Sequence, residues 1–191
     1  MFRKKTCIIL LLALPFSSFS QQLNDSVQIR KVLHEINVNA LRAGEKTPVT
    51  FTNISKSEIE KGNLGQDLPY IISLTPSVVT TSDAGAGVGY TGFRIRGSDA
   101  TRINVTINGI PLNDSESQGV WWVNMPDFSS SIEDIQIQRG VGTSTNGASA
   151  FGASVNLKTD GLRKNGYLTT NNTMGSFATL KNNIEFGTGL L

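Results

Sequence analysis

Phe93-Arg94-Ile95-Arg96-Gly97 and Ile135-Gln136-Ile137-Gln138-Arg139-Gly140 decide how this chain is read. Each is a short run of alternating apolar and polar side chains closed by an Arg-Gly pair. A period of two puts Phe93 with Ile95, and Ile135 with Ile137, on one face of a strand. Between the runs, Ile103, Val105 and Ile107 alternate with Asn104, Thr106 and Asn108. Asn108-Gly109 then predicts a tight hairpin, because both residues tolerate a positive φ. Downstream, Val155 and Leu157 alternate with Asn156 and Lys158, giving a further strand.

Working outward, Val49 to Ile54 alternates and is β-branched, which predicts a strand. Ser55-Lys56-Ser57-Glu58 has the spacing of a capping box, so a short helix is expected to start there and fray at Gly62. A second helix is expected from about Gly65 to Leu74, with Pro69 in its first turn and Pro76 ending it. Val78 and Val79 open another strand, and Ser82 to Gly92 is a glycine-rich loop. The expected class is α+β: a compact mixed domain with a small sheet, one solvated sheet face and two short helices.

The C-terminal stretch has a different pattern. Ala178, Leu180, Ile184 and Phe186 fall on one face, and Thr179, Lys181, Asn183 and Glu185 on the other. Gly166 to Met174 is a weaker segment of the same kind, with Gly175-Ser176 between the two. Strands of this length with an apolar side and a polar side suit a transmembrane β-barrel, and equally a soluble amphipathic hairpin. A barrel must close to satisfy its edges, so the barrel reading makes the sequence an N-terminal fragment of a longer protein.

Phe2-Arg3-Lys4-Lys5, the apolar run from Cys7 to Phe16 and the small residues at Ser18-Phe19-Ser20 predict a signal peptide cut after Ser20. Its removal takes three of the 17 basic residues and leaves 14 against 15 acidic ones. A near-neutral chain does not carry the electrostatic footprint of nucleic-acid binding. The single cysteine, Cys7, leaves with the signal, so no disulfide framework is expected. His34 is the only histidine, which excludes a His/Cys metal cluster and a Cys–His pair. Gly85-x-Gly87-x-Gly89 is not a dinucleotide fingerprint, since no helical pattern follows it. No enzyme, metal or cofactor is expected.

The order of these motifs, together with Gly147-Ala148-Ser149-Ala150-Phe151-Gly152-Ala153-Ser154, resembles the plug domain of TonB-dependent outer-membrane receptors over roughly residues 35–159. The resemblance implies a domain plan: signal peptide at 1–20, flexible segment at 21–47, plug at 48–160 and the first barrel strands at 161–191. It implies that Glu35-Ile36-Asn37-Val38-Asn39-Ala40 is a TonB box, an extended peptide that adds to an edge of TonB's sheet. It implies that Arg96 and Arg139 pair with glutamates of the barrel wall, where arginine's fork holds carboxylates in a bidentate grip. It also implies that two loops touch ligand, with Gly87 and Tyr90 on the first and Asn113, Asp114, Gln118, Trp121 and Trp122 on the second. Adjacent tryptophans offer flat apolar area with an N–H handle, and equally can pack structurally. Asn124-Met125-Pro126-Asp127 reads as a turn and helix start.

Function follows from the same resemblance. The expected protein is an outer-membrane receptor whose plug gates a barrel of about 22 strands and which works with periplasmic TonB. The Gly147 to Ser154 run is closer to siderophore- and cobalamin-type receptors than to the glycan-importing branch, and the stretch from Gln21 to the box is too short for that branch's extra domain. A ferric siderophore is the favoured cargo, ahead of cobalamin, haem or an oligosaccharide. The alternative is a secreted soluble β-rich binding or adhesion domain.

Overall fold

The computed structural model describes residues 42–142, 150–176 and 178–190. The signal segment, the box at Glu35 to Ala40 and residues 147–149 lie outside the described residues.

The elements run β1 (Thr50–Ser55), α1 (Lys56–Gly62), α2 (Leu68–Ile71), β2 (Val78–Ser82), β3 (Thr91–Ile95), β4 (Ile103–Ile107), β5 (Ile110–Pro111), β6 (Ile132–Arg139), β7 (Ala153–Thr159), β8 (Tyr167–Met174) and β9 (Leu180–Gly187). Short 3₁₀ turns cover Ala100–Arg102, Trp122–Asn124 and Phe128–Ser131. One mixed sheet has the order β1-β6-β7-β4-β5, while β2-β3 and β8-β9 form separate hairpins. Strands β4 and β7 pair in parallel, and the other pairs in this sheet are antiparallel. The long chain between β4 and β7 makes the parallel pairing possible.

Register explains the core. Val105, Val155 and Ile137 form one cross-strand row, and Ile107, Leu157, Ile135 and Ile54 form the next. These rows pack beneath Ile59 of α1, Leu68 of α2, Ile72, Phe93 and Ile95 of β3, and Trp122. The predicted hairpin is present: Ile107 faces Ile110, and Asn108 and Gly109 have φ of 50° and 85°. Helix α1 starts where the capping box placed it, with the Glu58 carboxylate accepting the Ser55 N–H at 2.8 Å.

Two expectations are corrected. The second helix is a single turn, Leu68–Ile71, rather than Gly65 to Leu74. Asp67 N–H donates to Gly87 O at 2.8 Å, which commits the preceding residues to a loop contact instead of a helical turn. The other face of the main sheet is also not solvated. Asn104, Thr106, Gln136, Gln138, Ser154 and Asn156 are all buried. Several bond within this face: Thr106 Oγ1 donates to Asn156 Oδ1 at 2.7 Å, and Gln138 Nε2 donates to Gln136 Oε1 at 3.0 Å, while Ser154 Oγ and Asn156 Nδ2 are buried without a partner among the described residues. Gln136 also grips the backbone of Ala43, accepting its N–H at 2.7 Å and donating to its carbonyl at 3.0 Å. Arg42 continues this cover with an ion pair to Asp134. A polar face can be buried when most of its hydrogen bonds are completed internally.

In the C-terminal hairpin, Leu168 lies opposite Phe186 and Met174 opposite Leu180, and these apolar side chains are exposed together with Ile184. The alternate residues Lys181, Asn183 and Glu185 are the better-covered set. This is the reverse of a soluble amphipathic hairpin, which buries its apolar side.

Candidate functional site

The two loops singled out in the sequence flank one cavity of about 370 Å³. Asp83, Tyr90 and Phe93 stand on one side, and Val120, Trp121 and Val123 on the other.

The first loop is held from below by Asp67, which is only 3% exposed. Its Oδ2 accepts the Gly89 N–H at 3.0 Å and the Thr91 hydroxyl at 2.8 Å. Gln66 Nε2 donates to Ala86 O at 3.2 Å on the same side. Gly87 is buried here with φ of 78°, where an added Cβ would sit 2.7 Å from Gln66 Nε2. Its glycine is required by close approach to α2, and it does not line the cavity.

The second loop is braced by its own polar residues. Asn113 Oδ1 accepts the Val105 N–H at 2.8 Å, and its Nδ2 donates to Ile103 O at 2.9 Å and Gln118 O at 2.8 Å. Asn113 thus extends the β4 ladder by side chain. Asp114 accepts the backbone N–H groups of Ser117 at 2.7 Å and Glu116 at 3.1 Å. Those bonds, Ser117's first, hold the Asp114 carboxyl below its ordinary range. Gln118, with φ of 58°, donates to Ser115 O at 2.9 Å. Asn113, Asp114 and Gln118 therefore shape the loop, and none of the three lines the cavity.

The two tryptophans divide. Trp122 is 3% exposed and tilts against Phe93 with centroids 5.9 Å apart, as part of the core wall. Trp121 is 52% exposed and presents its ring at the cavity, facing Tyr90's loop. The 3₁₀ turn at Trp122–Asn124 sends the adjacent indoles in different directions.

Arg96 and Arg139 come together at one end of the plug. Arg96 has φ of 51°, and its Nη1 donates to Arg139 O at 3.2 Å. Arg139 Nη1 donates to Pro76 O at 3.2 Å, and its Nε is buried with no partner. Among the described residues, no carboxylate forms an ion pair with either guanidinium.

Sequence reading missed Asp67 and the cluster of Asn63, Asp127, Ser130 and Lys181. Asp67-Leu68-Pro69 carried a helix-start signal, but its partners lie 22 and 24 residues away. Among the described residues, no group of His, Cys, Asp or Glu is arranged to hold a metal. No described helix is long and apolar enough to cross a membrane.

Residues 43–154 match the family model described as TonB-dependent Receptor Plug Domain. Among curated sequences no relative matches the chain. Solved structures share the fold. The FpvAI–pyocin S2 complex superposes with a TM-score of 0.58 at 16% identity, over 76% of this chain and 18% of the other. The ferric yersiniabactin uptake receptor FyuA from Yersinia pestis gives 0.56 at 12% identity, over 74% and 22%. The alcaligin outer-membrane receptor FauA from Bordetella pertussis gives 0.56 at 19% identity, over 74% and 23%. The chain thus spans about a fifth of the length of these structures. Plug domains belong to transporters and are not enzymes, and this chain belongs to the TonB-dependent receptor plug-domain family.

Proposed function

We propose that this chain is the plug and first barrel hairpin of an outer-membrane receptor that imports a ferric siderophore. The observation that carries this reading is the inside-out hairpin beside the plug. Leu168, Leu180, Ile184 and Phe186 point away from the domain, while Lys181 points toward it and bonds to it. Lipid accepts such an apolar face, whereas water penalises it. This observation also disfavours the soluble secreted domain.

In this reading the signal segment is cleaved and the protein is delivered to the outer membrane. Cargo enters the cavity between Tyr90 and Trp121. The segment at Glu35 to Ala40 adds as a strand to TonB in the periplasm. Force on that segment reaches the plug first at Arg42 and Ala43, which are tied to Asp134 and Gln136. Arg96 and Arg139 meet barrel carboxylates, and the buried unpartnered Arg139 Nε supports a missing acceptor. Two solved neighbours are named as siderophore receptors and another as a ferric yersiniabactin uptake receptor, which supports the cargo class. The work is coupling and gating, with no bond made or broken.

A deletion strain grown on a panel of ferric siderophores, haem and cobalamin tests the reading. Loss of growth on one ferric siderophore supports it and names the cargo. Normal growth on every iron source overturns the iron assignment.

A further inference from the structure

We propose that the two cavity loops select for a neutral or cationic iron chelate and discriminate against a polyanionic one. This rests on the reading of the cavity as the cargo site and adds the charge class of the cargo.

The loops at 82–92 and 112–124 contain Asp83, Asp114 and Glu116 and not one Lys, Arg or His. Asp83 is on the cavity wall itself. Asp114 and Glu116 are exposed on the second loop, which supplies Trp121. Asp114 accepts two backbone N–H groups, which keep its carboxylate ionised at neutral pH. The nearest basic side chains in sequence are Arg94 and Arg102. The Thr101 hydroxyl chiefly lowers the Asp99 carboxyl, and Arg102 and Arg94 lower it further, so both guanidinium groups lie near an acidic side chain outside the two loops. Arg94 alternates with Phe93 along β3, so it leaves the strand on the side opposite the ring that lines the cavity.

The remaining wall is apolar or aromatic: Tyr90, Phe93, Val120, Trp121 and Val123. Such a surface gains from stacking against the flat or apolar parts of a chelate. A cationic appendage gains further from the exposed faces of Trp121 and Tyr90 and from the carboxylates. A polyanion finds no cation on this wall, the Asp83 carboxylate there repels it, and Asp114 and Glu116 add negative charge on the exposed second loop. Ferric iron held by three hydroxamates is neutral, and a trihydroxamate with a free ammonium is a cation. Ferric iron held by three catecholates is a trianion. The plug contribution therefore ranks the cation and the neutral chelate above the trianion.

The test uses the full-length receptor in detergent and three probes: a neutral ferric trihydroxamate, the same chelate bearing an ammonium group, and a ferric tris-catecholate of similar size. Affinity is read by quenching of tryptophan fluorescence at low and at physiological salt. The wild type should bind the trianion at least about tenfold more weakly than the neutral chelate, with the gap narrowing at high salt. Asp83→Asn combined with Glu116→Gln should narrow the gap by about threefold to fivefold and weaken the cation, with little change for the neutral chelate. Wild-type affinity for the trianion equal to or above that for the neutral chelate overturns this inference alone. Binding of none of the three overturns the ferric-siderophore reading as well. Binding that is insensitive to Asp83→Asn, Glu116→Gln and Trp121→Ala places the cargo elsewhere and overturns both.

Discussion

Lys181 Nζ lies 2.5 Å from Asp127 Oδ1, so a side chain of the C-terminal hairpin is fastened to a loop of the plug. The same ammonium donates to Ser130 Oγ at 3.1 Å, and Asp127 Oδ1 also accepts from Ser130 Oγ at 2.8 Å and Asn63 Nδ2 at 3.3 Å. Asp127 holds φ of 52°, a left-handed conformation that aspartate tolerates better than most residues. The sequence reading placed barrel contacts on Arg96 and Arg139. The contact between hairpin and plug seen here runs the other way, from a lysine on the hairpin to a carboxylate on the plug.

Replacing Lys181 by Met should loosen the hairpin from the plug. Lys181 is 11% exposed, but Asp127 is open enough for solvent to screen the pair, so the cost should be about 1 kcal/mol. Thermal unfolding of the detergent-solubilised receptor checks this. An unchanged midpoint would show that the pair adds nothing to plug seating.

The same pair carries a pH dependence. Burial pushes the Asp127 carboxyl up, but the hydrogen bonds from Lys181 and Ser130 more than offset it, leaving it below the ordinary 3.8. A depressed folded pKa stabilises above the unfolded value and loses that stabilisation as pH falls through the folded one. Below about pH 4, wild-type stability should fall more steeply than that of Asp127→Asn. Parallel curves for the two proteins would contradict this.

Asp67→Ala should release the glycine-rich loop. A buried carboxylate that holds the Gly89 N–H and the Thr91 hydroxyl would be lost, at about 1–3 kcal/mol. Hydrogen exchange at the Gly89 amide should accelerate, while the β6 and β7 amides stay protected. Unaltered exchange at Gly89 would mean that the loop is held by other contacts.

Gly87→Ala and Gly85→Ala separate two causes of strain. Both glycines have positive φ, but only Gly87 has neighbours within reach of a Cβ. Gly85→Ala should cost about 1 kcal/mol and Gly87→Ala more, because Gln66 and the Tyr70 ring must also move. Equal losses in a denaturant titration would leave no role for the contact with α2.

Arg96→Ala with Arg139→Ala should unseat the plug in the full receptor. Removing guanidinium partners from buried carboxylates typically costs about 3–5 kcal/mol per pair. Sensitivity of cells to bulky antibiotics should rise. Unchanged leakage together with unchanged transport would count against a latch.

Local chemistry made much of the fold legible. The β6, β7 and β4 strands, the Asn108-Gly109 hairpin and the capping box at Ser55 each depend on residues close together in sequence. The solvated sheet face was misread for a physical reason. A polar side chain in a strand has the same pattern whether water or another side chain completes its hydrogen bonds. Gln136 is buried with Ala43, 93 residues earlier, bonding both ends of its amide, and with Asn53 and Gln138 as further partners. Within the candidate site, Tyr90 was legible as an aromatic on a glycine-rich loop, while Trp121 and Trp122 had the same local signal and could not be told apart. Asn113, Asp114 and Gln118 were read as ligand groups, and their hydrogen bonds to the loop backbone became visible only with the chain folded.

The amino-acid order by itself determined the strands, their faces, the tight turns and the resemblance that named the family, because those follow from alternation and from φ preferences of single residues. Only the tertiary structure decided that Trp122 packs while Trp121 is presented, that Asp67 pins a loop, and that Lys181 reaches Asp127. Each of those outcomes depends on which distant groups arrive to satisfy a polar atom or cover a ring, and no local pattern encodes that arrival.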